Sequence, residues 1–269
     1  MKHKLAVALL LACLATPAGQ AQKIRTDEAN PNVVGCAYNF QSGANNTYLS
    51  FCVTNTGTIP QIETPQGFTQ LLETVEGYGI CNESPIVAYY DWQGMGDSGN
   101  WNAPILVSHN ATSVKIRRTT SDGVWTLTQT FTLVPATPAI KVAMALKNNT
   151  AAARTAYVVR HARFYPDDAG GVGNYYTSAT TNGVFSWQTS VPFGWNDSHG
   201  LEIANVGQPQ FGYLQGFART SYVAPNPCNF AADSSGKVVE SIEGAVLLAY
   251  VDSIGPNKTK TATMTYRGK

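Results

Sequence analysis

Between Val124 and Val134 apolar and hydroxyl side chains alternate: Trp125, Leu127, Phe131 and Leu133 fall on one side of an extended chain, Thr126, Thr128, Thr130 and Thr132 on the other. A period of two is the pattern of a strand with one buried face. Pro135-Ala136-Thr137-Pro138 then interrupts the ladder, because proline has no N–H to donate, and Ile140, Val142, Met144 and Leu146 resume the alternation. The two runs are expected to pair as a hairpin. Shorter runs from Tyr48 to Thr54, Ile86 to Tyr90, Val114 to Thr119, Ala156 to Tyr165, Gly244 to Val251 and Thr261 to Tyr266 predict further strands. Helical spacing shows only from Thr69 to Val75. Many strands punctuated by turn residues imply an all-β fold, a large antiparallel β-sandwich.

The first residues follow a different pattern. Lys2 and Lys4 precede an apolar run from Leu5 to Ala15, and small residues follow at Gly19 and Ala21, the layout of a secretory leader. Cleavage is expected after Ala21, leaving residues 22–269 as one β-sandwich domain, secreted or periplasmic. The run falls short of the roughly 20 residues that span a bilayer, so membrane insertion is not expected. A competing reading takes Leu10-Leu11-Ala12-Cys13 as a lipid-attachment signal, although that cleavage would divide the apolar run.

Loss of the leader removes two lysines and no acids, so the net charge of +1 becomes −1. Charged residues are 13% of the chain, which leaves no electrostatic case for nucleic acid or an anionic membrane as partner. The remaining cysteines, Cys36, Cys52, Cys81 and Cys228, are even in number, as in a disulfide-bonded exported protein. Cys36 and Cys52 lie symmetrically about Ala44 in a turn-forming run and are expected to bridge a hairpin, which leaves Cys81 to pair with Cys228. Zinc is the rival reading of four cysteines, but no C-x-x-C pair occurs.

Several enzyme motifs are excluded by order or spacing. Gly96-Asp97-Ser98-Gly99 matches the surroundings of a trypsin-like nucleophile, yet the only histidine before Ser98 is His3, in the leader. Asp197-Ser198-His199 lacks one spacer of the Asp-x-x-His of GDSL-type esterases, and no G-x-S-x-G, P-loop, H-E-x-x-H or dinucleotide fingerprint is present.

Two stretches hold candidate chemistry. In "YYDWQGMGDSGNW", Tyr89, Tyr90, Trp92 and Trp101 surround glycines on an expected loop, where aromatic rings stack against sugar faces and Asp91, Asp97 and Asn100 bond hydroxyls. The competing expectation is that these rings cap the core. In "RHARFYPDDAGG", Tyr157, Val159, His161, Arg163 and Tyr165 share one strand face, expected to line an open cleft with Asp167 and Asp168 at its rim. The plainer reading pairs Arg160 and Arg163 with Asp167 or Asp168 as a local polar network. No cofactor is expected, calcium excepted: Asp167, Asp168 and Asn174 offer it hard oxygen ligands without the EF-hand spacing.

The stretches "YLSFCVTNTGTIPQIETPQGFTQLL", "VWTLTQTFTLVPATPAIKVAMALKNNT", "RHARFYPDD" and "GPNKTKTATMTYR" follow one another much as strands do in galactose mutarotase-like supersandwich domains, and the chain resembles that superfamily over most of its mature length. The resemblance implies a supersandwich. It also implies, for an enzyme of that kind, His161 as the acid to the sugar ring oxygen and Glu240 or Glu243 as the base. The superfamily's Asn-His-x-Tyr-Phe stands here as Arg160-His161-Ala162-Arg163-Phe164, and neither glutamate lies in a family-like motif. These departures, with export, favour a non-catalytic sandwich that binds carbohydrate or another cell-surface polymer, or serves as an extracellular structural module. The mutarotase-like enzyme is the alternative.

Overall fold

The computed structural model describes residues 35–72, 76–163, 175–180, 183–188, 199–206, 211–219, 226–229 and 245–268. These form three antiparallel sheets, with strands numbered along the chain. A small sheet joins β1 (Tyr38–Ser42), β2 (Leu49–Val53), β3 (Gln61–Glu63) and β4 (Thr69–Leu72) in sequence order. The second sheet contains β5 (Glu76–Glu83), β6 (Ile86–Trp92), β7 (Gly96–Asp97), β12 (Arg154–Arg163), β16 (Gly212–Arg219) and β17 (Ala245–Ile254), ordered β16-β17-β12-β5-β6-β7. The third contains β8 (Ile105–His109), β9 (Ser113–Thr119), β10 (Trp125–Val134), β11 (Ala139–Asn148), β13 (Tyr175–Thr180), β14 (Gly183–Gln188), β15 (Gly200–Asn205) and β18 (Thr259–Gly268), ordered β13-β14-β15-β18-β11-β10-β9-β8.

The expected hairpin is β10 with β11, Trp125 opposite Asn148 and Val134 opposite Ala139. Thr69 to Leu72 corrects the helical expectation, because it pairs as β4 with β3. A single helical turn closes too few hydrogen bonds to compete with a ladder. Both disulfides join the expected cysteines: Cys36 with Cys52 across the β1–β2 hairpin, and Cys81 on β5 with Cys228 in the turn 226–229.

The six- and eight-stranded sheets pack face to face, with β13, β14 and β15 against β16 and β17. Their inner faces supply the core: Trp125, Leu127, Phe131 and Leu133 from β10, Ile140, Val142, Met144 and Leu146 from β11, and Ala156, Val158 and Ala162 from β12. On β10 the threonine face is half-buried, as the alternation requires of a sheet covered on one side. The centre of the six-stranded sheet differs. From Val158 to Ala162 every residue of β12 is buried, and so are Glu76 to Asn82 on β5. Both faces of these strands are therefore covered.

Candidate site on the outer face of the six-stranded sheet

Directly opposed residues of an antiparallel pair point to the same side. Tyr78 stands opposite both Asp91 and Arg160, and these three face the core. Gly77 stands opposite His161 and Trp92, and Gly79 opposite Val159 and Tyr90, so these residues share the outer face. Strand β6 accordingly splits the aromatic stretch. Tyr90 and Trp92 lie outside; Tyr89 and Asp91 lie inside.

The outer face is a strip of rings over a floor without side chains. A Cβ on Gly77 would stand 2.0 Å from the Asp91 carbonyl oxygen and 3.0 Å from Trp92 Cε3, so glycine is what lets the indole lie across β5. Trp92 stacks on Tyr90 with centroids 5.9 Å apart and meets the His161 ring at 5.6 Å and 66°. Over Gly79 sits the buried Pro227. Arg163 and Tyr90 are half-buried at the margin. Farther along, the Tyr157 hydroxyl bonds Glu83, and burial followed by that carboxylate pushes the phenol up.

These positions correct part of the sequence reading. Tyr89, Trp92 and Trp101, expected on an exposed loop, are 1%, 1% and 9% exposed. Trp101 donates its indole N–H to the Tyr90 carbonyl at 3.1 Å and packs edge-on to Tyr78 and Tyr89, while the Tyr89 hydroxyl donates to Asp122 at 2.5 Å. The aromatic stretch is a strand followed by a core plug, because its rings find partners on both sides of β6. His161, expected to face an open cleft, is 2% exposed under its cover. Arg160 faces the core instead of joining a rim network. Tyr165, Asp167, Asp168, Asn174, Glu240 and Glu243 lie outside the described residues.

Asp91 and Asp97 are engaged too: Arg118 on β9 donates to both at 2.9 Å, and also to the Tyr78 hydroxyl at 3.3 Å and the Asn102 carbonyl at 3.4 Å. Burial pushes the Asp91 carboxyl up against the opposing pull of Thr56 and Arg118. Asn100 donates to the Ala88 carbonyl. This cluster bridges the two large sheets. Among the described residues no group of three or more metal-binding side chains forms. His109 and His199 stand apart, in ring contact with Phe40 and Phe68 respectively.

The architecture defines the class: an antiparallel β-sandwich with a covered aromatic strip on one sheet. No protein-family model matches the sequence, and no curated protein matches it. Among solved structures, a bacterial glucoamylase complexed with acarbose aligns with 87% of this chain at a TM-score of 0.56 and 8% identity. The chain covers about a third of that enzyme's length, 32%. The GalM/aldose epimerase homologue from C. elegans aligns with 86% of this chain and 98% of its own, at 9% identity and a TM-score of 0.46. A galactose mutarotase-like protein from Lactobacillus casei does so over 86% and 100%, at 9% and 0.47. At 8% identity the likeness to the glucoamylase is one of fold.

Proposed function

We propose that this chain is an exported carbohydrate-binding protein, without turnover, that holds a sugar against the outer face of its six-stranded sheet. The observation that carries the reading is the strip itself: Tyr90 stacked on Trp92 beside His161 on the outer face, with Tyr90 and Arg163 half-buried at the margin where a sugar ring would meet them. Flat aromatic faces match the apolar faces of pyranoses, and an imidazole and a guanidinium supply hydroxyl partners. The fold likeness to a glucoamylase complexed with acarbose supports a sugar ligand, and two disulfides support a secreted or periplasmic location.

Acid–base turnover needs a carboxylate on the same sugar ring as His161. Among the described outer-face residues the carboxylate is Glu83, at Tyr157, which stands four residues or about 13 Å along β12 from His161. That separation takes Glu83 out of reach of a sugar ring held at His161. A glycan array with the oxidised mature protein, followed by polarimetry and reducing-end assays on each hit, tests the reading. Binding without turnover is expected. Anomeric interconversion that disappears in Glu240→Gln or Glu243→Gln would instead establish the mutarotase-like enzyme. Repeating the array with calcium and with a chelator tests Asp167, Asp168 and Asn174 as a metal site.

A further inference from the structure

The outer face of the eight-stranded sheet is built unlike that of the six-stranded one. Opposed residues share a side, so the face bearing Thr126, Thr128, Thr130 and Thr132 on β10 continues through Lys147, Ala145, Ala143 and Lys141 on β11 to Thr259, Thr261, Thr263 and Thr265 on β18. On its other flank it continues through Thr119, Arg117, Lys115 and Ser113 on β9. The two threonine columns stand two strand spacings apart, about 10 Å, with the small Ala143 and Ala145 between them. They form a shallow trough along β11. Lys141 and Lys147 close its ends, about 20 Å apart, and Lys115 and Arg117 line the bank beyond β10. The alanine floor and the threonines beside it are half-buried, whereas Arg117, Lys141 and Lys147 are exposed.

Charge is segregated on this face. Strands β9, β10, β11 and β18 contain no aspartate or glutamate. Some of their cations find acids on other strands: Arg118 pairs with Asp91 and Asp97, Lys260 with Asp252, and Arg267 with Glu202. Lys115, Arg117, Lys141 and Lys147 form no ion pair among the described residues, and all of them project from the outer face. Solvated surfaces ordinarily intersperse both signs, whereas a surface of one sign concentrates ligands of the other. The near-zero net charge of the chain conceals this segregation, because the acids lie elsewhere.

We propose that the trough along β11 is a second ligand site, for an acidic polysaccharide bearing carboxylate or sulfate groups. The lysines and Arg117 meet the anionic groups, and the threonine hydroxyls, which both donate and accept, meet the sugar hydroxyls between them. Two other polyanions fit less well. Single-stranded nucleic acid stacks its bases on aromatic rings, and a bilayer takes up apolar side chains; the trough offers neither. This site lies on the other sheet from the aromatic strip and does not depend on it.

The test measures binding of the full mature chain to polygalacturonate and chondroitin sulfate, with uncharged dextran as control. Both acidic polymers are expected to bind and dextran is not. Affinity should fall about ten- to a hundredfold between roughly 50 and 200 mM salt, as the gain from counterion release shrinks. Lys141→Gln/Lys147→Gln should weaken binding at least about fivefold, and Lys141→Arg/Lys147→Arg should retain it. Thr261→Val/Thr263→Val removes hydroxyls at nearly constant volume and should weaken binding without altering its salt dependence. Urea midpoints of these surface variants should match wild type. Tyr90→Ala, on the aromatic strip, should leave binding to both acidic polymers unchanged. No binding to either acidic polymer overturns the proposal, as do equal affinity for dextran and wild-type affinity in the lysine-to-glutamine or the threonine variant. Binding of a single-stranded oligonucleotide or of phosphatidylglycerol vesicles as tight as that of the polysaccharides overturns it too. If the acidic polymers bind and an array of neutral glycans is blank, this site stands and the strip reading falls.

Discussion

Arg160 Nη2 and Glu76 Oε1 meet 2.5 Å apart inside the sandwich, and neither side chain has exposed surface. The guanidinium is satisfied from both sheets. Its Nε donates to the Tyr266 hydroxyl at 3.1 Å, and its Nη1 to Gln129 Oε1 at 2.8 Å and the Gly57 carbonyl at 3.2 Å. Glu76 in turn accepts from Tyr266 at 2.6 Å and from the Ile59 N–H at 2.5 Å. A buried charge is tolerable only when so fully paired. Removing one partner strands the other. Arg160→Met should therefore lower unfolding free energy in urea by about 3–5 kcal/mol, whereas Arg160→Met/Glu76→Leu should recover most of that loss. A double variant no more stable than the single would show that the pair does not act as a unit.

Trp92→Ala tests the burial of the candidate strip. An exposed loop ring would contribute little, but a fully covered one leaves a cavity, so a loss of about 3–5 kcal/mol is expected in the oxidised protein. Tyr90→Ala, at the half-buried margin, should weaken glycan binding with a much smaller effect on melting. Equal and small effects on melting would place Trp92 outside the covered face.

Gly77 and Gly96 should respond differently to alanine. At Gly77 the new Cβ meets backbone at 2.0 Å, so β5 or β6 must move, and a loss of about 1–3 kcal/mol or more is expected. Gly96 has φ +85 and open space around it, so only the conformational strain of about 1–2 kcal/mol applies. Thermal melts of the two variants check the order.

The two disulfides close chain separations of 16 and 147 residues. Loop-closure entropy assigns about 3 kcal/mol to the first and about 5 kcal/mol to the second. Urea unfolding of Cys36→Ser/Cys52→Ser and Cys81→Ser/Cys228→Ser should show the larger loss for the second pair. The reverse order would mean that the denatured chain is already constrained.

Acid titration should separate two kinds of carboxylate. Burial pushes Asp122 up, but hydrogen bonds from Thr120, Tyr89 and the Val124 N–H overcome it and hold the group below its ordinary range. Its contribution to stability is complete above the unfolded aspartate value, about 3.9, and is lost as pH falls through the lower folded value. Glu76 has the opposite sign: burial outweighs the pull of Arg160 and raises it, so its contribution is present below the unfolded glutamate value, about 4.3, and is lost as pH rises through the folded one. Asp122→Asn should flatten the acid limb of the urea midpoint, measured from roughly pH 2 to 5. An unchanged limb would mean that the Asp122 bonds do not persist in solution.

The sequence by itself determined the strands whose alternation is regular, because a period of two places one residue in each pair toward the core whatever lies beyond. It marked β10 and β11 and their hairpin, and the spacing of cysteines about Ala44 marked the first bridge and left the second by elimination. It also put Arg160 and His161 on opposite faces of β12. What each face meets was decided only by tertiary structure. Arg160 is satisfied by Tyr266, 106 residues away, and by Gln129, which breaks the apolar side of β10 for that reason. His161 lies on β12, a central strand flanked by β5 and β17, and is buried on the face opposite Arg160. Alternation distinguishes two faces of a strand, but burial on both depends on layers contributed by distant segments, and no local pattern records them.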